Sequence, residues 1–324
     1  MNAKITSIGV YHPEREIRNS YFETYLETSD QWIRERTGIE RRFYAANDEY
    51  TSDMCVKAVE ALVRNSGKDV TDVDFVIVAT STPDQVLPSM ASQVQARMNI
   101  KRAGCMDVQA ACAGFVYGII LAKGLIASGT YKKILVLGAD KLTQATDFED
   151  RATCILFGDG AGAVLIEASE TNHIFTPITD TDGSLGKDLY LAGKGAPING
   201  ESVIYDSNIH QNGRVVFKWA VSSLGRLIRE LVALNGMGLD DINWFIPHSA
   251  NIRILDAVCK DLNAPHEKCL ESIRQYGNTS AASIPLAWWS GIEAGKVKYG
   301  DQLLLIGFGG GLTCAGICIE HTIK

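Results

Sequence analysis

The sequence predicts an α/β protein made of two similar halves. Three observations carry this: a length of 324 residues, which suits about two domains; short continuous apolar runs such as Val76–Thr80 and Leu303–Gly307, the pattern of strands covered on both faces; and a coarse order of elements that occurs twice. The chain opens on MNAKITSIGVYHPE, a strand followed by a turn. A helix over Ser52–Ser66 leads through the acidic DVD into the buried strand FVIVAT. A second helix, Ser89–Met98, precedes CMDVQAACAG, where a strand gives way to a small-residue helix running to about Ser128. KKILVLGAD is the next strand, and CILFGDGAGAVLIEAS reads as two strands joined by a glycine-rich turn. The order then restarts: a helix over Phe217–Leu234, the strand INWFI, a helix over Ile252–Leu262, a strand over Glu271–Tyr276, a last helix, and two strands around the glycine loop of QLLLIGFGGGLTCAGICI. The halves divide as residues 1–170 and 171–324. Between them TDTDGSLGKDLYLAGKGAPINGES is longer than an ordinary connector and is either a pocket wall or a surface loop.

Composition excludes several classes of function. Hydrophobic residues make up 46% and charged residues 21%, which argues against a disordered or fibrous chain. A formal charge of -7 disfavours general nucleic-acid binding. Residues Gln302–Ile319 carry no charge, but their five glycines speak for buried strands and not a membrane span. The eight cysteines show no zinc spacing, and with no secretion signal at the start they read as small buried residues of a cytoplasmic protein.

Three positions stand out for chemistry. Cys112 enters the uncharged helix of AACAGFVYGIILA, where unpaired backbone N–H groups favour a thiolate nucleophile; a packing cysteine is the plain alternative. His248 follows the strand INWFI and Pro247, at the kind of sheet edge where α/β proteins place reacting groups. Asn278, in YGNTSAASIP, lies at a junction equivalent to that of Cys112 in the other half, although a helix cap there is common. In FGGGLTCAG the backbone from Phe308 to Gly311 lacks side chains that would keep an N–H from a developing oxyanion; a tight turn is the alternative. This loop matches neither GxGxxG followed by a helix nor GxxxxGK(S/T), so a nucleotide-phosphate loop is disfavoured.

DVQAACAGF, FIPHSANIRI, YGNTSAASIP and FGGGLT, with ETSDQWIRERTGIERR and DRATCILFGDGAGA, resemble the 3-oxoacyl-[acyl-carrier-protein] synthase III family in family order over essentially the whole length. The resemblance implies a thiolase-like fold, two duplicated α/β halves in five αβαβα layers. It also implies a β-ketoacyl synthase reaction that initiates fatty acid synthesis: Cys112 takes an acyl group from acyl-CoA, and malonyl-acyl carrier protein loses carbon dioxide and attacks it, with His248 and Asn278 stabilising the thioester oxygen. The N–H groups of Cys112 and Gly310 would cradle the primer's oxygen, beside Phe308. Trp32 and Arg151 would hold the adenine of CoA, Arg36 a phosphate, and Asn251 would complete the histidine turn. Leu142 and Leu87 would line the acyl cavity, Leu87 from the partner of a homodimer. Arg253, with Lys218 and Lys260, would dock the carrier protein. No metal or other cofactor is required, and no nucleic acid or membrane partner is expected. Two departures from the family pattern concern tuning. Ser249 replaces a glutamine beside His248, and Leu87 replaces a phenylalanine, which leaves the choice of straight or branched primer open. A related acyltransferase or polyketide ketosynthase with another acyl acceptor is the alternative.

Overall fold

A computed structural model describes residues 1–193 and 195–324; Lys194, in the long insertion, lies outside the described residues. In chain order the elements are β1 (Asn2–Tyr11), β2 (Arg15–Arg18), α1 (Asp30–Thr37), β3 (Arg41–Tyr44), α2 (Thr51–Ser66), β4 (Phe75–Ala79), α3 (Met90–Arg97), β5 (Gly104–Val108), α4 (Gly114–Ala127), β6 (Lys133–Asp140) and β7 (Gly160–Ser169). They continue with β8 (Ile178–Thr181), β9 (Leu189–Leu191), β10 (Ile209–Gln211), α5 (Gly213–Leu234), β11 (Trp244–Pro247), α6 (Ile252–Leu262), α7 (Ile273–Tyr276), α8 (Ser283–Glu293), β12 (Gln302–Gly309) and β13 (Thr313–Glu320).

One sheet runs β1-β7-β6-β4-β5 and the other β11-β12-β13-β8. Read from its other end, the second repeats the first strand for strand, with β4 parallel to β6 and β11 parallel to β12, and each central strand antiparallel to its next neighbour. Helices α2 and α3 cover the outer face of the first sheet, α5 packs on the second with α6 beside it, and α4 and α8 lie between the sheets. This is the five-layer thiolase-like order. Sequence chemistry explains the layers. In α2 the residues Met54, Ala58, Val59 and Leu62 are buried on one face, the Asp53 carboxylate accepts the Tyr50 N–H at the start, and Gly67 ends the helix at φ 66°. In α4, by contrast, Phe115, Val116, Ile119, Ala122 and Ile126 are buried against strands of both sheets, which is why its sequence is apolar nearly all round.

Two expected elements differ. Residues Glu271–Tyr276 form no strand: Ile273–Tyr276 is a helical turn, and the fifth position of the second sheet is reduced to a single bridge between Phe245 and Cys269. Ile273 and Tyr276 have strand-like side chains, but Ile273 is buried in a cluster with Phe22 and Ile33, and that packing decides the backbone. The segment CILFGDGAGAVLIEAS contains one strand, β7, and not two. The Asp159 carboxylate takes the place of ladder bonds, accepting from Ala45 N at 2.8 Å and from Thr143 N at 3.0 Å and Oγ1 at 2.7 Å. Phe157 keeps one bridge, to Asn278.

The halves meet through two tight helical turns, Ala111–Ala113 before α4 and Ser280–Ala282 before α8. Both begin on a left-handed residue, Ala111 at φ 45° and Ser280 at φ 50°. Each turn lies on a glycine of the other half's central strand. A Cβ on Gly307 would come within 2.7 Å of Ala113 Cα, and one on Gly138 within 2.4 Å of the Ala281 carbonyl oxygen.

Candidate active site

A cavity of about 230 Å³ opens where these turns meet, and Cys112, His248 and Asn278 all line it. Leu142, Phe308 and Gly310 are in its wall as well. The long insertion supplies another wall, through Leu189, Tyr190 and Leu191 of β9 and Ile209 and Gln211 of β10. Among the described residues no charged side chain lines the cavity, so it suits an uncharged apolar group.

Cys112 is the middle residue of the strained turn, one position after Ala111. Desolvation pushes the half-buried thiol up to about 12, against a lowering by the Ser280 side chain, and the charge of Asp140 adds to the rise. The helix start favours thiolate, but desolvation in an apolar cavity outweighs it.

His248 directly follows β11, with its N–H bonded to the Ile306 carbonyl at 2.8 Å, which fixes the chain beside β12. Its Nδ1 is 2.7 Å from Ser283 Oγ, and its ring meets Phe308 edge-on at 5.1 Å, so Nε2 is the nitrogen left for the cavity. Burial lowers its pKa to about 3, and the ring is neutral at working pH. Because the folded value lies below the ordinary 6.5, this residue adds stability above pH 6.5 that is lost as pH falls toward 3. Between pH 7 and pH 5 the wild type should lose about 2 kcal/mol more unfolding free energy than His248→Gln, measured by denaturant titration at both values. Parallel losses would show that the ring is not buried neutral.

Asn278 is held on both sides, its N–H donating to the Leu156 carbonyl at 2.8 Å and its carbonyl accepting from Gly158 N–H at 3.0 Å. Its Oδ1 accepts from Ser280 N–H at 2.9 Å, so the amide presents its NH2 as the free donor. Asn278 and Cys112 therefore do not occupy the same rung of the duplicated turn. Counting from Ala111 and Ser280, Ala281 stands where Cys112 stands, and Asn278 answers to Gln109, which also lines the cavity.

The remaining expected residues lie outside this cavity. Trp32 has Arg151 over its ring at 5.2 Å and Arg36 at 5.8 Å, and Arg151 also donates to the Glu27 carbonyl. A flat base would have to enter between Trp32 and Arg151, displacing the guanidinium from the ring. Asn251 caps α6, accepting from Arg253 N–H, and its Nδ2 reaches the Arg36 carbonyl at 3.0 Å, tying the histidine turn to α1. Arg253 lies over Phe217 at 5.8 Å, and it is exposed with Lys218 and Lys260 on the α5–α6 face. Leu87 is 83% exposed and does not line this chain's own cavity.

Two buried groups escaped the sequence reading. Asp140, fully buried at the end of β6, accepts at Oδ1 from Ser81 N–H (2.7 Å), Thr82 N–H (3.1 Å) and the Thr80 and Thr82 hydroxyls, and at Oδ2 from Ala281 N–H at 3.3 Å. It pins the turn that carries Ser280. Ser283, the first residue of α8, is the other. An acidic residue closing an apolar strand, as in VLGAD, was the available sign of the first; a serine in a run of small residues offers none.

A five-layer duplicated fold with a cysteine, a neutral histidine and an inward-facing amide around one apolar cavity defines a thiolase-like acyltransferase. Known proteins agree. The family described as 3-oxoacyl-[acyl-carrier-protein (ACP)] synthase III matches residues 106–183, and its C-terminal part matches residues 232–321. "Beta-ketoacyl-[acyl-carrier-protein] synthase III 2" of Halalkalibacterium halodurans is 47% identical over 99% of this chain and 97% of its own length. The synthase III structure from Thermus thermophilus superposes with a TM-score of 0.94 at 41% identity, covering 98% of this chain and 99% of that one. The priming β-ketosynthase of the R1128 polyketide pathway superposes at 0.93 with 31% identity, covering 99% and 96%. The chain belongs to the 3-oxoacyl-[acyl-carrier-protein] synthase III family.

Proposed function

We propose that this chain, as a β-ketoacyl-[acyl-carrier-protein] synthase III, loads a short acyl group from acyl-CoA onto Cys112 and condenses it with malonyl-acyl carrier protein. The observation that carries this reading is the convergence of Cys112 from the first half with His248 and Asn278 from the second on one uncharged cavity. In the first step the sulfur adds to the acyl thioester carbonyl and CoA leaves as thiol with the cysteine's proton; the backbone N–H groups of Cys112 and Gly310 receive the oxygen's charge. In the second, the malonyl carboxylate leaves as carbon dioxide and its electron pair passes to the thioester oxygen, which accepts hydrogen bonds from His248 Nε2 and the Asn278 amide. The resulting carbanion attacks the acyl-Cys112 carbonyl; the C–C bond forms as the C–S bond breaks, the Cys112 sulfur leaves as thiolate and takes up a proton, and the 3-oxoacyl carrier protein is released. Neither step calls for a metal or another cofactor, and the half 1–170 carries the nucleophilic cysteine while the half 171–324 carries the His248 and Asn278 pair.

Intact-protein mass spectrometry after incubation with mixed acyl-CoAs tests this: the expected result is one acyl adduct on Cys112, whose mass names the preferred primer, and no adduct from any primer would reject the assignment. Similarity to the R1128 priming ketosynthase supports the second reading, another acyl acceptor in a specialised pathway. Turnover with malonyl-CoA in place of malonyl-carrier protein would favour it.

The enzyme acts in the cytoplasm as a homodimer in this reading; among the described residues no helix is long and apolar enough to cross a membrane. Exposed Leu87 then reaches the partner's acyl cavity. Leu87→Phe should shift relative kcat/KM about tenfold toward acetyl-CoA over isobutyryl-CoA. An unchanged ratio in a variant that remains dimeric would remove Leu87 from primer selection. CoA enters over Trp32, Arg36 and Arg151, and the acidic carrier protein docks on Arg253, Lys218 and Lys260. Arg253→Glu should raise KM for malonyl-carrier protein about tenfold while acyl-CoA loading stays within twofold. Equal losses in both half-reactions would assign Arg253 to the fold or the cavity instead.

A further inference from the structure

We infer that Ser283 fixes the tautomer of His248, placing the ring proton on Nε2, and is a positioning residue for the decarboxylation step. This inference rests on the condensing reaction proposed above. Ser283 is fully buried at the start of α8, and its hydroxyl has two neighbours, His248 Nδ1 at 2.7 Å and Ser249 N at 3.4 Å. The second can only donate, because it is a backbone N–H. A hydroxyl has one proton to give, and a buried one left without an acceptor is costly. Among the described residues no carbonyl or carboxylate oxygen accepts from Ser283 Oγ, so the one acceptor offered to its proton is the lone pair of His248 Nδ1. A neutral imidazole that accepts at Nδ1 carries its proton at Nε2. With burial keeping the ring neutral, Nε2 is then a donor directed at the cavity and not a base.

The hydroxyl has little freedom to turn away. Ser272 Oγ donates to the Ser283 carbonyl at 3.0 Å, and Ser272 N–H donates to Ser249 Oγ at 2.9 Å, so three buried serines lock the start of α8 to the histidine turn. Ser249 thus has a defined task at a place where the family's common pattern has glutamine. The opposite tautomer would offer a lone pair to the malonyl thioester oxygen at the moment that oxygen gains negative charge, and two acceptors would face each other. Among the described residues no hydrogen bond engages Nε2 of His248, which leaves its proton free for substrate.

The test is selective 15N labelling of histidine in the full-length protein. The signal of His248, identified by its loss in His248→Gln, should show a directly bonded proton at Nε2 and none at Nδ1. A proton bonded to Nδ1 overturns the inference, whatever the enzyme turns over. Kinetics supply the second readout. Ser283→Ala should reduce carbon dioxide release from malonyl-carrier protein about tenfold to a hundredfold, with acyl loading of Cys112 within twofold, and Ser283→Thr, which keeps the hydroxyl, should recover most of the loss. Decarboxylation at the wild-type rate in Ser283→Ala overturns the positioning role. If Ser283→Ala does not fold, the labelled wild type still decides. A wild-type protein that never decarboxylates malonyl-carrier protein refutes the proposed reaction instead, and the site of the ring proton is measured independently of it.

Discussion

Replacing Cys112 by alanine should abolish the acyl adduct and lower overall condensation by about a thousandfold or more, to background. The variant removes one sulfur atom from the cavity wall and keeps Cβ, so the loss of stability should stay near 1 kcal/mol, and its unfolding midpoint should lie close to that of the wild type. Carbon dioxide release from malonyl-carrier protein should persist, since the histidine and asparagine donors remain. No other cysteine lines that cavity among the described residues, so no second thiol stands ready to accept the acyl group. An adduct that survives on the same peptide in Cys112→Ala would overturn the assignment.

The second large effect separates the half-reactions. His248→Ala and Asn278→Ala should each keep appreciable acyl loading and lose decarboxylation by about a hundredfold to a thousandfold, the cost of removing one oxyanion donor. His248→Ala empties a buried site and calls for a parallel measurement of fold by near-UV circular dichroism; Asn278→Ala frees the Ser280 N–H and should loosen its turn. Wild-type rates of carbon dioxide release in both variants would remove these residues from the chemistry.

Much of this architecture can be read from residues because it is periodic or punctuated. VIVAT and LLLIG are buried on both faces as their unbroken apolarity implies, and the glycine loop after Phe308 separates two strands as expected. The junctions bearing Cys112 and His248 are legible for the same reason, since each follows a strand and precedes a helix; Asn278 also precedes a helix, but it follows the helical turn α7 and not the expected strand. Failures occur where tertiary contact overrides local pattern. Ile273 packs as part of a helical turn despite its β-branched side chain, and Asp159 substitutes a carboxylate for backbone pairing in a stretch that reads as strand. At Cys112 the helix start that favours thiolate is visible in sequence, whereas the desolvation that raises the thiol pKa is not. Asp140 and Ser283 act through partners more than thirty residues away in the chain, and no spacing rule brings such pairs into view.

The reciprocal seating of the two turns on Gly138 and Gly307 has a genetic meaning. Damage to the cysteine turn is not confined to its own half: a side chain at Gly307, in the last strand pair of the chain, would push into Ala113 and disarm a nucleophile nearly two hundred positions upstream. A side chain at Gly138 would press on Ala281 and the loop that bears Asn278. Loss-of-function alleles of one half-reaction should therefore map to both halves of the gene, and second-site suppressors should cross the boundary in the same way. Neither half can drift alone, and two separately expressed halves would each lack the floor on which its own reactive turn rests.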